Sequence, residues 1–136
     1  MTVIVDTNVL VSAVITDRLP QRVIEEIASS DDWFWLVTSQ IAQEYREVLR
    51  RPKFKLTEQI YQQWIALLDA AAIPFETSAR PPSFLADPKD VPFLTAALTS
   101  EADFLITGDK HFAEAEKLVA SRIVTVAEFA RLFAIA

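Results

Sequence analysis

Short runs of β-branched and aromatic residues alternate along the chain with stretches in which apolar residues recur at helical spacing. The runs predict strands at residues 3–5, 33–38, 103–107 and 123–124, with a short edge strand at 74–77. The helical spacing predicts helices at residues 9–15, 21–29, 39–51, 57–72, 90–100 and 110–120, and a last helix after Thr125. Strands that alternate with helices predict an α/β protein, in which helices cover both faces of a parallel sheet.

Polar residues at the predicted helix starts refine this picture. Ser39 is the expected cap of the third helix, and Thr125 with Glu128 forms a capping-box pattern. Asp90 is the preferred cap of the fifth predicted helix, because Pro92 then falls in the first turn, where it removes no helical hydrogen bond.

Composition restricts the class of protein. At 136 residues, 51% of them hydrophobic, the chain is expected to form one domain with a full core. It has no cysteine and one histidine, so a disulfide framework is excluded and a zinc site is a poor fit. No stretch has the pattern of a signal peptide or a membrane span, so we expect a soluble cytoplasmic protein. The net charge of −6 argues against a generic nucleic-acid coat, but not against a carboxylate site for metal ions and phosphates.

Two aspartates directly follow predicted strands. Asp6 ends the first strand, and Asp109 follows the later strand at 103–107 after Gly108, the only glycine. The carboxyl ends of parallel strands share one edge of the sheet, where ligands bind in open α/β folds, so both carboxylates are candidates for one cleft. The alternatives are a helix cap at Asp6 or Thr7 and an ordinary strand-exit turn at Asp109. We expect Gly108 to supply a positive φ or a close approach of the backbone.

Two further acids are candidates for the same edge. Glu44 lies at the border of an apolar stripe that contains Ile41 and Tyr45, and a carboxylate on a buried face needs a partner. That partner is another group of the site or, alternatively, a base such as Arg51. Asp90 is expected near the same edge, although capping alone explains an aspartate at a helix start.

Four carboxylates in one cleft repel each other. Two unit charges about 4 Å apart cost about 4 kcal/mol at an effective dielectric constant of about 20. A bound cation relieves this repulsion, and oxygen ligands without cysteine or histidine suit Mg²⁺ or Mn²⁺, ions that support phosphoryl transfer. Asn8 and Thr107 are neutral polar residues beside the acids, suited to orienting a carboxylate or a metal-bound water.

Five pieces of the chain form an ordered set of motifs. They are Val5-Asp6-Thr7-Asn8-Val9-Leu10, Thr38-Ser39 with Glu44, Leu49-Arg50-Arg51-Pro52-Lys53-Phe54, Asp87-Pro88-Lys89-Asp90 with Phe93-Leu94, and Ala102-Asp103-Phe104-Leu105-Ile106-Thr107-Gly108-Asp109-Lys110. Taken in order, these pieces resemble a PIN-domain nuclease, in particular the VapC-like toxin group. Each piece alone is weak evidence. The ordered set is specific, and it spans nearly the whole chain.

The resemblance implies a three-layer α/β/α sandwich and metal-dependent cleavage of RNA phosphodiester bonds with Mg²⁺ or Mn²⁺. It also implies a homodimer and an antitoxin partner that silences the enzyme. The catalytic and metal-binding acids that it implies are Asp6, Glu44, Asp90 and Asp109, with Asn8 and Thr107 in supporting positions. There are departures from the pattern: Lys89 stands where the group often has an acid, Val91-Pro92 replace a more polar pair, and His111 stands where aspartate is common.

One basic concentration stands out in this acidic chain. Its members are Arg46, Arg50, Arg51, Lys53 and Lys55. They are candidates for a phosphate-binding rim along RNA, with Lys89 as a further phosphate contact. The alternative is a solvated helix face followed by a loop.

Two other functions remain open from the sequence. A haloacid-dehalogenase-type phosphatase also begins with a strand that ends in aspartate, but its second acid would fall at Asn8. A non-catalytic interaction protein that retains a nuclease fold is a different class, and the presence of all four acids argues against it. No glycine-rich turn follows the first strand, so a dinucleotide-binding domain is poorly supported.

Overall fold

A parallel sheet forms the centre of the fold. The computed structural model describes residues 1–77, 88–108 and 119–136, and within these ranges the sheet has five strands. The strands are β1 (Thr2–Val5), β2 (Phe34–Val37), β3 (Ala72–Pro74), β4 (Phe104–Ile106) and β5 (Arg122–Val124). The helices of these ranges are α1 (Thr7–Ile15), α2 (Leu19–Ser29), α3 (Ser39–Leu49), α4 (Glu58–Ala71), α5 (Val91–Ser100) and α6 (Val126–Leu132), with a 3₁₀ turn at Pro52–Phe54.

The order of the strands places β1 in the middle. The sheet runs β3-β2-β1-β4-β5, and all four neighbouring pairs are parallel. The chain therefore builds outward from β1 through β2 to β3, and then returns to the other side of β1 to form β4 and β5. The winding reverses between β1 and β4, which makes the carboxyl ends of these two strands the switch point where a ligand crevice opens.

The apolar runs of the two strands at the centre of the site, β1 and β4, are buried on both faces. Val3, Ile4 and Val5 of β1 have no exposed surface, and neither do Leu105 and Ile106 of β4. Such complete burial is expected for parallel strands covered by helices. The predicted three-layer α/β/α sandwich with a central parallel sheet is confirmed.

Four aromatic rings pack together near the end of the chain. The Phe129 ring of α6 lies 4.9 Å from Trp33, 5.5 Å from Phe104 and 4.8 Å from Phe133, measured between ring centroids. Phe129 has no exposed surface. This cluster joins the last helix to residues of β4 and of the segment before β2.

Several boundaries differ from the sequence prediction. Helix α1 begins at Thr7 rather than residue 9, and β3 forms at residues 72–74 rather than 74–77, directly after α4. Thr38, not Ser39, caps α3, because its Oγ1 accepts a hydrogen bond from the Ile41 N–H at 3.1 Å. Helix α3 ends at Leu49, and Arg50 is its C-cap.

Other predictions about helix ends have mixed outcomes. Asp90 is the N-cap residue of α5 by position, but its side chain makes no capping hydrogen bond. Thr125 caps α6, since its Oγ1 accepts from the Glu128 N–H at 3.1 Å. The positive φ predicted for Gly108 is wrong. A Cβ placed on Gly108 would meet no atom of the described residues within 4 Å, so no close approach of the backbone is seen within these ranges. The helix predicted at 110–120 lies outside the described residues up to position 118.

Within the described ranges, every helix is too short or too polar to cross a bilayer.

Candidate active site

Asp6 stands at the switch point between β1 and β4. Its N–H donates to the Ile106 carbonyl at 2.9 Å, which extends the β1–β4 ladder by one bond, and its own carbonyl accepts from the Val9 N–H at 3.0 Å, where α1 begins. Asp6 is only 7% exposed. It occupies the N-cap position of α1 without a side-chain capping bond. The capping alternative therefore does not explain this carboxylate.

Thr107 holds the Asp6 carboxylate from the neighbouring strand. The Thr107 hydroxyl donates to Asp6 Oδ2 at 2.7 Å. Thr107 is itself fixed, because it is 3% exposed and its N–H donates to the Val124 carbonyl of β5 at 2.9 Å. A buried carboxylate held in this way has a defined orientation toward the edge of the sheet.

Glu44 reaches the same region from α3. Its Oε2 accepts a hydrogen bond from the hydroxyl of Thr7, the buried first residue of α1 and the direct neighbour of Asp6. The alternative of a salt bridge with Arg51 is not realised, since no basic side chain within the described ranges forms an ion pair with Glu44. Glu44 is therefore held by Thr7, the residue that follows Asp6 in the chain.

Tyr45 follows Glu44 in α3 and bonds to Val5, the residue before Asp6. Its hydroxyl is buried and donates to the Val5 carbonyl. Burial raises the pKa of the Tyr45 hydroxyl well above its usual range; the neighbouring Trp35 indole opposes that rise, and the charges of Asp6 and Glu44 add to it. The Tyr45 hydroxyl therefore remains a protonated donor.

Thr7 and Tyr45 were not predicted as site residues. In the sequence, Thr7 is only an alternative cap of the first helix, and Tyr45 belongs to the apolar stripe of α3. The available signal was that a buried tyrosine needs a hydrogen-bond partner, which distinguishes it from Ile41 on the same stripe.

The other residues predicted for the site are Asp90, Asn8, Lys89 and two positions after Gly108. Asp90 is 8% exposed and begins α5, a helix that packs on β1 and α3. Asn8 and Lys89 are exposed. Asp109 and His111 lie outside the described residues.

The described residues alone do not complete a metal site. No three Asp, Glu, His or Cys side chains of residues 1–77, 88–108 and 119–136 come together in an arrangement that would hold an ion. The four-acid cluster therefore stays a prediction, since it includes Asp109. The side chains that the described residues hold in place here form two pairs, Asp6 with Thr107 and Glu44 with Thr7. Their donor atoms are all oxygens, the ligand type that Mg²⁺ and Mn²⁺ prefer.

The structure divides the predicted basic rim into two parts. Arg46 forms an ion pair with Asp69, and Arg50 forms one with Glu58 of α4, to which its second guanidinium nitrogen donates at 3.1 Å. The Arg50 guanidinium also lies 3.6 Å above the centre of the Tyr61 ring. The hydrogen bond from Arg50 is the main cause that lowers the pKa of the Glu58 carboxyl.

The second part of the rim is less constrained. The residues Arg51, Lys53 and Lys55 are exposed around the 3₁₀ turn. Lys53 Nζ lies 5.1 Å from the centre of the Phe54 ring. This turn is therefore the best supported part of the rim for contact with phosphates, whereas the charges of Arg46 and Arg50 are already paired.

Comparisons with known proteins identify the family and the fold of this chain. The family model for the PIN domain matches residues 2–111. No curated protein matches the sequence significantly. Among solved structures, this chain is similar to a chain of the crystal structure of VapBC2 from Rickettsia felis bound to a DNA fragment from their promoter. The TM-score is 0.66 over 92% of this chain and 98% of that chain, at 14% sequence identity, so this likeness concerns the fold.

Proposed function

Because this chain belongs to the PIN-domain family, we propose that it is a metal-dependent endoribonuclease that hydrolyses RNA phosphodiester bonds. The observation that supports this most strongly is the buried Asp6 carboxylate, held by Thr107 at the switch point of the sheet. Membership in this family also argues against the alternative of a haloacid-dehalogenase-type phosphatase.

The residues of the site have separate tasks in this proposal. Asp6, Glu44, Asp90 and Asp109 would hold Mg²⁺ or Mn²⁺. When bound, the ion supplies Lewis-acid stabilisation of charge on the phosphodiester. Thr107 orients Asp6 and Thr7 orients Glu44, so that each carboxylate presents one oxygen in a fixed direction. Asn8, exposed in the first turn of α1, is available to bind water or substrate near Asp6.

The proposal extends to the partners of the enzyme. The fold is shared with a chain of the VapBC2 complex, and the sequence motifs resemble the VapC-like group. We therefore assign this protein the role of the toxin in a toxin–antitoxin pair, with RNA as its substrate, a cognate antitoxin protein as its inhibitor and a homodimer as its assembly.

The direct test is cleavage of a single-stranded RNA oligonucleotide by the purified protein. After EDTA treatment and dialysis we expect no cleavage, and addition of Mn²⁺ or Mg²⁺ should restore it, because the carboxylates need a cation to approach a phosphate. A DNA oligonucleotide of the same sequence is the control for substrate class. Cleavage of DNA alone would contradict the ribonuclease proposal, and no cleavage of either with Mn²⁺ or Mg²⁺ would favour the non-catalytic interaction protein.

A second measurement tests the division of the basic rim. Arg51→Ala should weaken RNA binding and reduce the slope of log K against log salt by about 0.7 for each lost phosphate contact on a single strand. Arg50→Ala should change that slope less and instead lower Tm slightly, because its guanidinium is engaged by Glu58 and Tyr61. Fluorescence anisotropy with labelled RNA over a salt series, without divalent ions, measures both slopes. An unchanged slope in Arg51→Ala would remove this residue from the RNA contact surface.

A further inference from the structure

The peptide bond that joins Val5 to Asp6 is held from both sides. On the β4 side, the Asp6 N–H donates to the Ile106 carbonyl at 2.9 Å. On the opposite side, the Val5 carbonyl accepts the hydroxyl proton of Tyr45. Since a peptide group is planar, these two bonds fix the orientation of one rigid plane, and the Asp6 side chain departs from the Cα atom at the end of that plane.

The position of the Val5 carbonyl explains why a side chain is needed there. The Met1 carbonyl accepts from the Phe34 N–H of β2, and alternation along the strand turns the carbonyls of Val3 and Val5 toward β2 as well. The pairing of β1 with β2, however, ends at Val3↔Trp35, whereas the pairing with β4 continues to Val5↔Ile106. The Val5 carbonyl therefore lies beyond the last paired residue on the β2 side, and it is buried.

Tyr45 supplies the donor that the strand does not. It projects from α3, directly after Glu44, and is 1% exposed. The Trp35 ring of β2 lies 6.1 Å from the Tyr45 ring. The buried Nε1 of Trp35 has no hydrogen-bond partner within the described ranges. The Tyr45 hydroxyl thus donates to the Val5 carbonyl at the point where β1 and β2 separate.

From this geometry we infer that Tyr45 is a positioning residue for Asp6, acting through the Val5 carbonyl to fix the plane that directs the Asp6 carboxylate into the site. The inference rests on the proposed function only in so far as Asp6 binds the metal ion. Tyr45 also follows Glu44 in the chain, so one turn of α3 carries both the residue that bonds to the end of β1 and the acid that accepts from Thr7.

The variant that isolates the hydroxyl is Tyr45→Phe. The ring remains to fill the core, while the Val5 carbonyl loses its donor. The matched control is Tyr61→Phe, because Tyr61 is the only other tyrosine and is 7% exposed on α4. Two quantities are measured in the unsubstituted protein and in both variants: amide hydrogen exchange by NMR, and Mn²⁺ affinity by calorimetry.

The inference predicts a local effect in Tyr45→Phe. Exchange of the Asp6 and Val9 amides should accelerate about ten- to hundredfold relative to the amides of α2, because a buried carbonyl without a donor favours local opening. Mn²⁺ affinity should fall about 10–100-fold, the usual effect of losing a residue that orients a metal ligand. Tyr61→Phe should leave the exchange of the Asp6 amide and the Mn²⁺ affinity unchanged.

The contrary outcomes are distinct. Unchanged exchange at Asp6 in Tyr45→Phe, or exchange that accelerates equally in α2 and at Asp6, would overturn the positioning role, because the hydroxyl would then be dispensable or only generally stabilising. Equal Mn²⁺ affinity despite local opening would also overturn it. If the unsubstituted protein binds no Mn²⁺ while the Asp6 amide still exchanges faster in Tyr45→Phe, the proposed metal dependence fails and the positioning of Asp6 stands.

Discussion

Asp6→Asn should lose at least about 100-fold in the rate of RNA cleavage while remaining folded. Replacing a residue that merely orients a metal ligand typically costs 10–100-fold in affinity or activity, so replacing the ligand itself should cost no less. The substitution keeps the shape of the side chain, and the amide oxygen can still accept the Thr107 hydroxyl. It also removes a charge from a position that is 7% exposed. We therefore expect Tm to be unchanged or slightly higher.

The matched control is Asp103→Asn. Asp103 precedes β4 at the opposite edge of the sheet, where its Oδ2 accepts from the Thr2 N–H at 2.8 Å. It is exposed, and its amide counterpart keeps an oxygen for that bond. Cleavage rates measured at saturating Mn²⁺ should be equal for Asp103→Asn and the unsubstituted protein. Equal rates in Asp6→Asn as well would show that this carboxylate has no catalytic part, and the location of the site would have to be reconsidered.

Phe129→Ala should produce the largest loss of stability among the substitutions considered. Phe129 has no exposed surface and contacts the rings of Trp33, Phe104 and Phe133. Truncation of a buried phenylalanine to alanine costs about 3–5 kcal/mol, from lost burial and from the cavity that remains. Because domains are stable by only about 5–15 kcal/mol, a large part of the free energy of unfolding would be lost. Urea unfolding followed by circular dichroism measures the change.

Leu132→Ala on the same helix is the control for that experiment. Leu132 is 45% exposed, and a substitution at such a position should change the free energy of unfolding by about 0.5 kcal/mol or less. The slope of free energy against urea should be the same in both variants, so that the midpoints compare directly. A loss in Phe129→Ala that is no larger than in Leu132→Ala would mean that the aromatic cluster does not fasten α6 to the sheet.

The sequence by itself determined the order of strands and helices, the parallel sheet and the exit of Asp6 from the first strand. These features follow from local patterns. A run such as Val3-Ile4-Val5 has to be buried on both faces, and parallel strands place their carboxyl ends together whatever their partners are. The helix boundaries were less well determined, because neighbouring residues such as Thr38 and Ser39 have similar capping ability. Only the backbone geometry selected Thr38.

The tertiary structure alone decided which side chains meet. Thr7 and Glu44 are 37 positions apart, Tyr45 and Val5 are 40 apart, and Thr107 and Asp6 are 101 apart. No periodicity within one element encodes such contacts, because each depends on how two elements pack. The same reason explains the basic rim, where the sequence shows five cations but packing pairs Arg46 with Asp69 and Arg50 with Glu58. Residue type and spacing therefore predicted which groups are candidates, and long-range packing decided which of them hold each other in place.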